Sequence, residues 1–190
     1  MPVRPLMKFS VFIATIAIAV SSCVQTAPRH TTEFVTQILE PTGGKVQRPK
    51  DWFYTESHNS YSYTWILSRE DASKAAYTTG VRIQLIEGVK RRTGKTPKEF
   101  IEDFVRTKKQ SADKVLNMCD ESSQGMFSRI CLETEEGPHH ILYSLFWGND
   151  GLDIAGATIA GTKKELWDDY APIFNAMSQV ELIDMSRFTK

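Results

Sequence analysis

The chain has 190 residues, 23 basic and 23 acidic side chains, and a formal net charge of zero. That balance argues against a nucleic-acid partner, and 41% hydrophobic with 11% aromatic content excludes a disordered chain. The length suits one domain with an ordinary core, and no composition shift or low-complexity stretch marks a second.

Residues 1–22 read as a secretory signal peptide. Arg4 and Lys8 make a positive start, Phe9 to Val20 is almost wholly apolar, and Ser21-Ser22 places small residues before Cys23. The apolar stretch is about a dozen residues, short of the ~20 that span a bilayer, so it is no transmembrane anchor. Val20-Ser21-Ser22-Cys23 resembles the lipobox of bacterial lipoproteins. That resemblance implies a diacylated Cys23 that becomes the first mature residue, and an outer-membrane address facing the periplasm in a Gram-negative host, because Val24 rather than aspartate follows. A plain secretory signal with an incidental cysteine is the alternative, and Met7-Lys8 is a second candidate start. Losing residues 1–22 removes two basic side chains and no acid, which leaves a net charge of about −2 and again disfavours nucleic acid. Residues 23–32 are polar, contain Pro28, and read as a tether reaching at most about 30 Å. Residues 33–190 are then a single domain held close to a membrane.

Within that domain, Phe34 to Leu39 is β-rich and ends at the turn cluster Glu40 to Gly44. Trp52 to Ser57 and Tyr61 to Leu67 flank Ser57-His58-Asn59-Ser60 as a hairpin. Pairing about that turn sets Trp52 opposite Trp65 and Tyr54 opposite Tyr63, all on one face. Val81 to Ile86 alternates as a further strand. Thr96-Pro97-Lys98-Glu99 carries a capping box with proline in the first turn, and Phe100, Ile101, Phe104 and Val105 supply the apolar stripe of a helix to about Lys108. Strands follow at Lys114 to Cys119, Phe127 to Thr134 and His139 to Trp147, and Asn149-Asp150-Gly151 turns the chain into a strand over Leu152 to Ala160. Thr162 and Glu165 suggest a second capping box for a closing helix striped by Leu166, Trp167, Tyr170, Ile173, Phe174 and Met177, with Pro172 set to bend or split it. The expected fold class is α+β: a mostly antiparallel sheet covered by two main helices.

Pro49-Lys50-Asp51-Trp52, an aromatic hairpin, a mid-chain helix, a long meander and a C-terminal helix ending near Phe188 together resemble the PsbP-like fold. The extrinsic P subunit of photosystem II, the Ran-binding Mog proteins and many small bacterial lipoproteins share that fold. The resemblance runs from about Phe34 to the C-terminus and implies a sandwich that binds proteins or assists assembly. It brings no catalytic set, and the photosystem subunit's metal-related residues have no counterpart here.

Four constellations carry candidate chemistry. Folding about Gln124 to Met126 sets Cys119 opposite Cys131, where export to an oxidising compartment favours a disulfide; two separate buried thiols are the alternative. Lys90, Arg91, Arg92, Lys95 and Lys98 crowd one loop and helix start, either as a solvated surface or as a patch for anionic head groups or an acidic partner. Trp52, Tyr54, Tyr63 and Trp65 form either core or, if left uncovered, an apolar groove for a lipophilic ligand or peptide. His139 and His140 are adjacent, so in a strand they point to opposite faces and cannot share one ion. Gly88 and Gly94 enclose one residue too many for a phosphate loop, and no Gly-x-Ser-x-Gly elbow is present. No cofactor, metal or catalytic residue is indicated. The leading expectation is a membrane-tethered, non-catalytic binding or assembly module with an envelope protein partner. A carrier of a small apolar ligand and a hydrolase with an unrecognised site are the rivals.

Overall fold

A computed structural model describes residues 32–184. The signal segment, Cys23, all but the last residue of the tether, and the end of the chain near Phe188 lie outside the described residues. The strands form two antiparallel sheets. The smaller contains β1 (Phe34–Leu39), β2 (Gly43–Pro49) and a late strand, Glu181–Ile183, which pairs with the other side of β2. The larger is built from β3 (Phe53–His58), β4 (Ser62–Ser68), β5 (Gly80–Glu87), β6 (Lys114–Met118), β7 (Ser122–Gln124), β8 (Phe127–Glu136), β9 (His139–Gly148) and β10 (Ile154–Lys163). Its spatial order is β3-β4-β5-β10-β9-β8-β6, with β7 also paired to β8; the late strand of the smaller sheet is β11. Three α-helices complete the fold: α1 (Val89–Thr93), α2 (Pro97–Ser111) and α3 (Trp167–Met177). None of the described helices is long and apolar enough to cross a membrane.

Strand alternation sorts the large sheet's side chains into two apolar clusters. Val81, Ile83 and Leu85 of β5 and Phe146 of β9 join Trp52, Trp65, Phe174 of α3, and Leu39 and Val46 of the small sheet. Tyr143, Leu145 and Trp147 of β9, with Ala155 and Ala157 of β10, join Ile101 and Val105 of α2. Thus α2 covers one face, while α3 and the small sheet cover the other. Strand β10, central and covered on both sides, is built from small residues. A Cβ at Gly156 would stand 2.2 Å from Phe146 Cζ and 2.4 Å from the Gln84 carbonyl oxygen, so only glycine lets the Phe146 ring lie across this strand.

Helix α2 starts as its sequence predicts. Thr96 Oγ1 accepts from the Glu99 amide at 3.2 Å, and the Glu99 carboxylate accepts from the Thr96 amide at 2.8 Å. Its last turn is pinned to the sheet by Glu136, which accepts from Tyr143 Oη at 2.6 Å, from Thr134 Oγ1 at 3.0 Å and from Lys108 Nζ at 2.9 Å.

Several expectations are corrected. The first hairpin turns at Asn59 to Tyr61, where Asn59 Oδ1 accepts from the amides of Tyr61 and Ser62. Trp65 therefore faces Glu56, Tyr63 faces His58 and Tyr54 faces Leu67, while Trp52 lies before the strand. The slip is even in parity, so the aromatic residues still share a face. Thr162 caps no helix: β10 stays paired with β9 through Lys163, and Thr162 is buried with its hydroxyl 2.8 Å from that of Thr79. A 3-10 turn, Lys164–Leu166, intervenes, and α3 begins without a side-chain cap. Pro172 sits inside α3, which continues through it to Met177. Strands β2, β7 and β11 and the short helix α1 were not anticipated.

Two measurements test this packing. Gly156→Ala is expected to lower stability by about 1 to 3 kcal/mol through overpacking; an unchanged urea midpoint would contradict the close approach of Phe146. For Glu136, burial opposes ionisation, but the hydrogen bonds from Tyr143, Lys108 and Thr134 together outweigh it and hold the carboxyl below its ordinary value of 4.5. A folded value below the unfolded one contributes stability that is complete above that ordinary value and is lost as pH falls through the lowered folded value. Glu136→Gln should therefore be less stable than the parent at neutral pH and lose less stability on acidification below about pH 5. Parallel stability curves for the two proteins would exclude this role.

Candidate functional site

The structure joins Cys119 to Cys131, with an S–S distance of 2.16 Å and Cα atoms 5.1 Å apart. The Cys119 amide also donates to the Cys131 carbonyl at 3.2 Å, so the bridge fastens the end of β6 to β8.

Of the two readings of the aromatic face, the structure has core: Trp52 and Trp65 are buried, and Tyr54 and Tyr63 are half-buried against them. Trp65 is fully buried and donates from Nε1 to the Glu40 carbonyl at 2.8 Å. Trp52 is buried against Tyr170 and Phe174 of α3, with ring centroids 6.2 and 6.3 Å apart. Tyr63 stacks on Trp65, and Tyr54 donates to Glu56 at 2.6 Å. The mid-chain helix, α2, lies on the opposite face; α3 and the small sheet do the covering. None of the four lines either cavity described below.

The basic side chains are exposed but unequal. Lys90, Arg91 and Arg92 lie on α1, which is bracketed by Gly88 and Gly94, both at positive φ. The Arg92 guanidinium sits 3.7 Å over the Tyr61 ring. Lys95 is paired with Asp103, and Lys98 with Glu121 at 2.8 Å. Lys90 and Arg91 make no ion pair with a described residue, so the patch presents fewer unneutralised charges than its sequence implies.

Sequence reasoning missed two open cavities. One is a groove of about 480 Å³ between α2 and β6. Its floor is Ile101, Val105, Ile130 and Trp147, and its rim includes Met118, Lys109 and Glu121. Met118 is 42% exposed, and Glu121 on the rim is paired with Lys98. The other is a cleft of about 440 Å³ between β11 and the opposite face of the main sheet. Phe127 and Arg129 of β8, Phe146 and Ser144 of β9, and Thr158 of β10 form its floor, and residues 178–183 form its roof. Neither cavity leaves a contiguous motif.

His140 is stacked on Trp167, with centroids 3.6 Å apart, and its Nε2 lies 2.6 Å from Glu133 Oε1. Those contacts fix the start of α3 on the sheet. Among the described residues no group of three histidine, cysteine or acidic side chains is placed to hold a metal ion.

The disulfide closes a short loop, with a sequence separation of 12, and the chain-entropy relation gives it about 2 to 3 kcal/mol. Cys119→Ala/Cys131→Ala should lose that much in urea unfolding. Peptide mapping without reductant should recover the bridged peptide from the exported protein; two alkylatable thiols would refute the bridge.

No model of a protein family matches the sequence, and no curated protein does. The solution structure of cyanobacterial PsbP (CyanoP) from Synechocystis is similar, with a TM-score of 0.51 and 13% identity over 85% of this chain and 98% of that one. The Ran-binding protein Mog1p of Saccharomyces cerevisiae has a TM-score of 0.46 and 12% identity, over 82% of this chain and 98% of that one. At this identity the likeness to CyanoP speaks of architecture alone, and the architecture is PsbP-like.

Proposed function

We propose that the chain is an envelope lipoprotein, held to the membrane through Cys23, that binds an envelope protein partner along the groove between α2 and β6 and performs no catalysis. In a Gram-negative host it would face the periplasm from the outer membrane, and nucleic acid is not among its partners. In this reading α2 and α3 are the two main helices of a PsbP-like sandwich, α3 closing the core while α2 presents its edge to the partner.

One observation carries the reading. The groove has a floor of large apolar side chains, including Trp147, under a rim that mixes Met118 with charged residues of both signs. An apolar centre inside a polar rim is the anatomy of a protein interface, with methionine enriched there and a tryptophan available as an anchor. Methionine's flexible, polarisable side chain also adapts to an incoming surface. The basic segment supports the same reading in a secondary way, since Lys90 and Arg91 would add attraction to an anionic membrane surface.

The test uses the full lipidated chain in its own membranes. A photo-crosslinking amino acid at Met118 or Lys109 should give one discrete protein adduct, and the same group at Lys74, which lines neither cavity, should give none. Adducts from all three positions, or from none, would count against the groove. Cys23→Ser should move the protein to the soluble fraction; its retention under carbonate and high salt would exclude the anchor.

A further inference from the structure

We infer that the cleft beneath β11 is a binding site for a small organic carboxylate with an apolar body. It lies on the face of the main sheet opposite the α2 groove and shares no residue with it, so it stands independently of the proposed protein interface.

Strand register assembles the polar floor. Ser144 and Thr158 are direct cross-strand partners, and Arg129 faces Phe146, two residues along β9 from Ser144. Residues of one strand two apart share a face, so all three side chains stand on the cleft side. The Arg129 guanidinium and the two hydroxyls make no hydrogen bond or ion pair with another described residue. Thr158 is only 8% exposed as a residue, but its hydroxyl keeps its access to solvent through the cleft. The acid that also lines the cleft, Glu181, is turned to Lys45 at 3.8 Å and leaves the arginine unneutralised.

The chemistry of this floor selects its ligand. A guanidinium presents parallel N–H donors that match the two oxygens of a carboxylate, and a hydroxyl beside it can donate a further bond. With Glu181 turned to Lys45, the one cation facing the cleft balances a monoanion and leaves a phosphate dianion undercompensated. The remaining walls are apolar: Phe127 and Phe146 meet edge to face with centroids 5.9 Å apart, and Val180 and Leu182 come from the roof. The volume of about 440 Å³ falls within the range of small-molecule sites.

Titration of the folded domain with octanoate, followed by amide NMR and calorimetry, tests the assignment. Saturable binding with a Kd of about 1 mM or tighter is expected, with shifts at residues 127–129, 144–146 and 158. Arg129→Gln should weaken it at least tenfold while leaving the melting temperature unchanged, because the side chain is exposed and unpaired. Ser144→Ala/Thr158→Val should weaken it as well. Octanamide should bind the parent no better than octanoate binds Arg129→Gln. The assignment is overturned if octanoate does not saturate by about 10 mM, if its affinity is indifferent to Arg129, or if the shifts fall on Met118 and Trp147. Inorganic phosphate binding as tightly as octanoate would also overturn it, as would a capped pentapeptide with a single glutamate binding tenfold tighter.

Discussion

The central strand β10 must be buried on both faces at once, and the rest of the fold follows from how it manages this. Ala155 and Ala157 turn to α2, while Gly156 and Ala160 turn to the side of α3 and the small sheet. Small side chains on both faces let large neighbours come close: Tyr143, Leu145 and Trp147 of β9 cover the alanines, and the Phe146 ring crosses Gly156. A larger residue at these positions would lift a helix or a ring off the sheet, and overpacking of that kind costs about 1 to 3 kcal/mol per site. The bulky aromatic residues therefore come from β4, β9 and α3, around a thin centre.

Polar groups inside this core are tied rather than excluded. Trp65 can be fully buried because the Glu40 carbonyl accepts its indole N–H, and Thr79 and Thr162 satisfy each other across the edge of β5 and β10. At the far end of α2, Glu136 gathers three donors from β8, β9 and α2 itself. Burial first, and the hydrogen bond to Glu136 second, push the Tyr143 phenol up to about 12. Tyr143 thus stays protonated as a donor across the ordinary pH range.

Much of this was legible in the sequence, and the failures have specific causes. The β1 strand, the α2 capping box, the β9–β10 turn and the facing cysteines are written in local pattern. Strand β2, with Val46 as its one large apolar residue between Gly43 and Pro49, has no such pattern; it exists because β1 and β11 flank it. The first hairpin turns later than expected because Asn59 opens the turn instead of lying inside it, its one side-chain oxygen reaching the amides of Tyr61 and Ser62. Thr162 imitated a cap because the same residue type serves a buried strand end. The cavities were illegible for a deeper reason. Arg129, Ser144 and Thr158 become neighbours only through the register of three strands, and their roof comes from residues 178–183, so no spacing along the chain encodes them. The basic run misled in the other direction: five charges in sequence became two pairs, one ring contact and two unpaired residues. At about 1 kcal/mol per charge near an anionic surface, that difference separates firm adsorption from a modest bias of orientation.

The two cavities sit back to back on the same sheet. Trp147 floors the α2 groove and Phe146, its chain neighbour on β9, floors the cleft, so the pleat sends consecutive residues to opposite sites. Their roofs are different in kind. Helix α2 is held by a capping box, the Glu136 cluster and a full apolar stripe, whereas the roof of the cleft is a three-residue strand attached to β2 along one edge. Strand β11 adds Leu182 and Ile183 to the apolar cluster on its face, so the roof is held by packing and by its pairing with β2. The disulfide from Cys119 to Cys131 acts on the other cavity. By fastening the end of β6 to β8, it keeps Met118 and Glu121 in place as the outer wall of the groove, so this wall is covalently braced while the roof of the cleft is not.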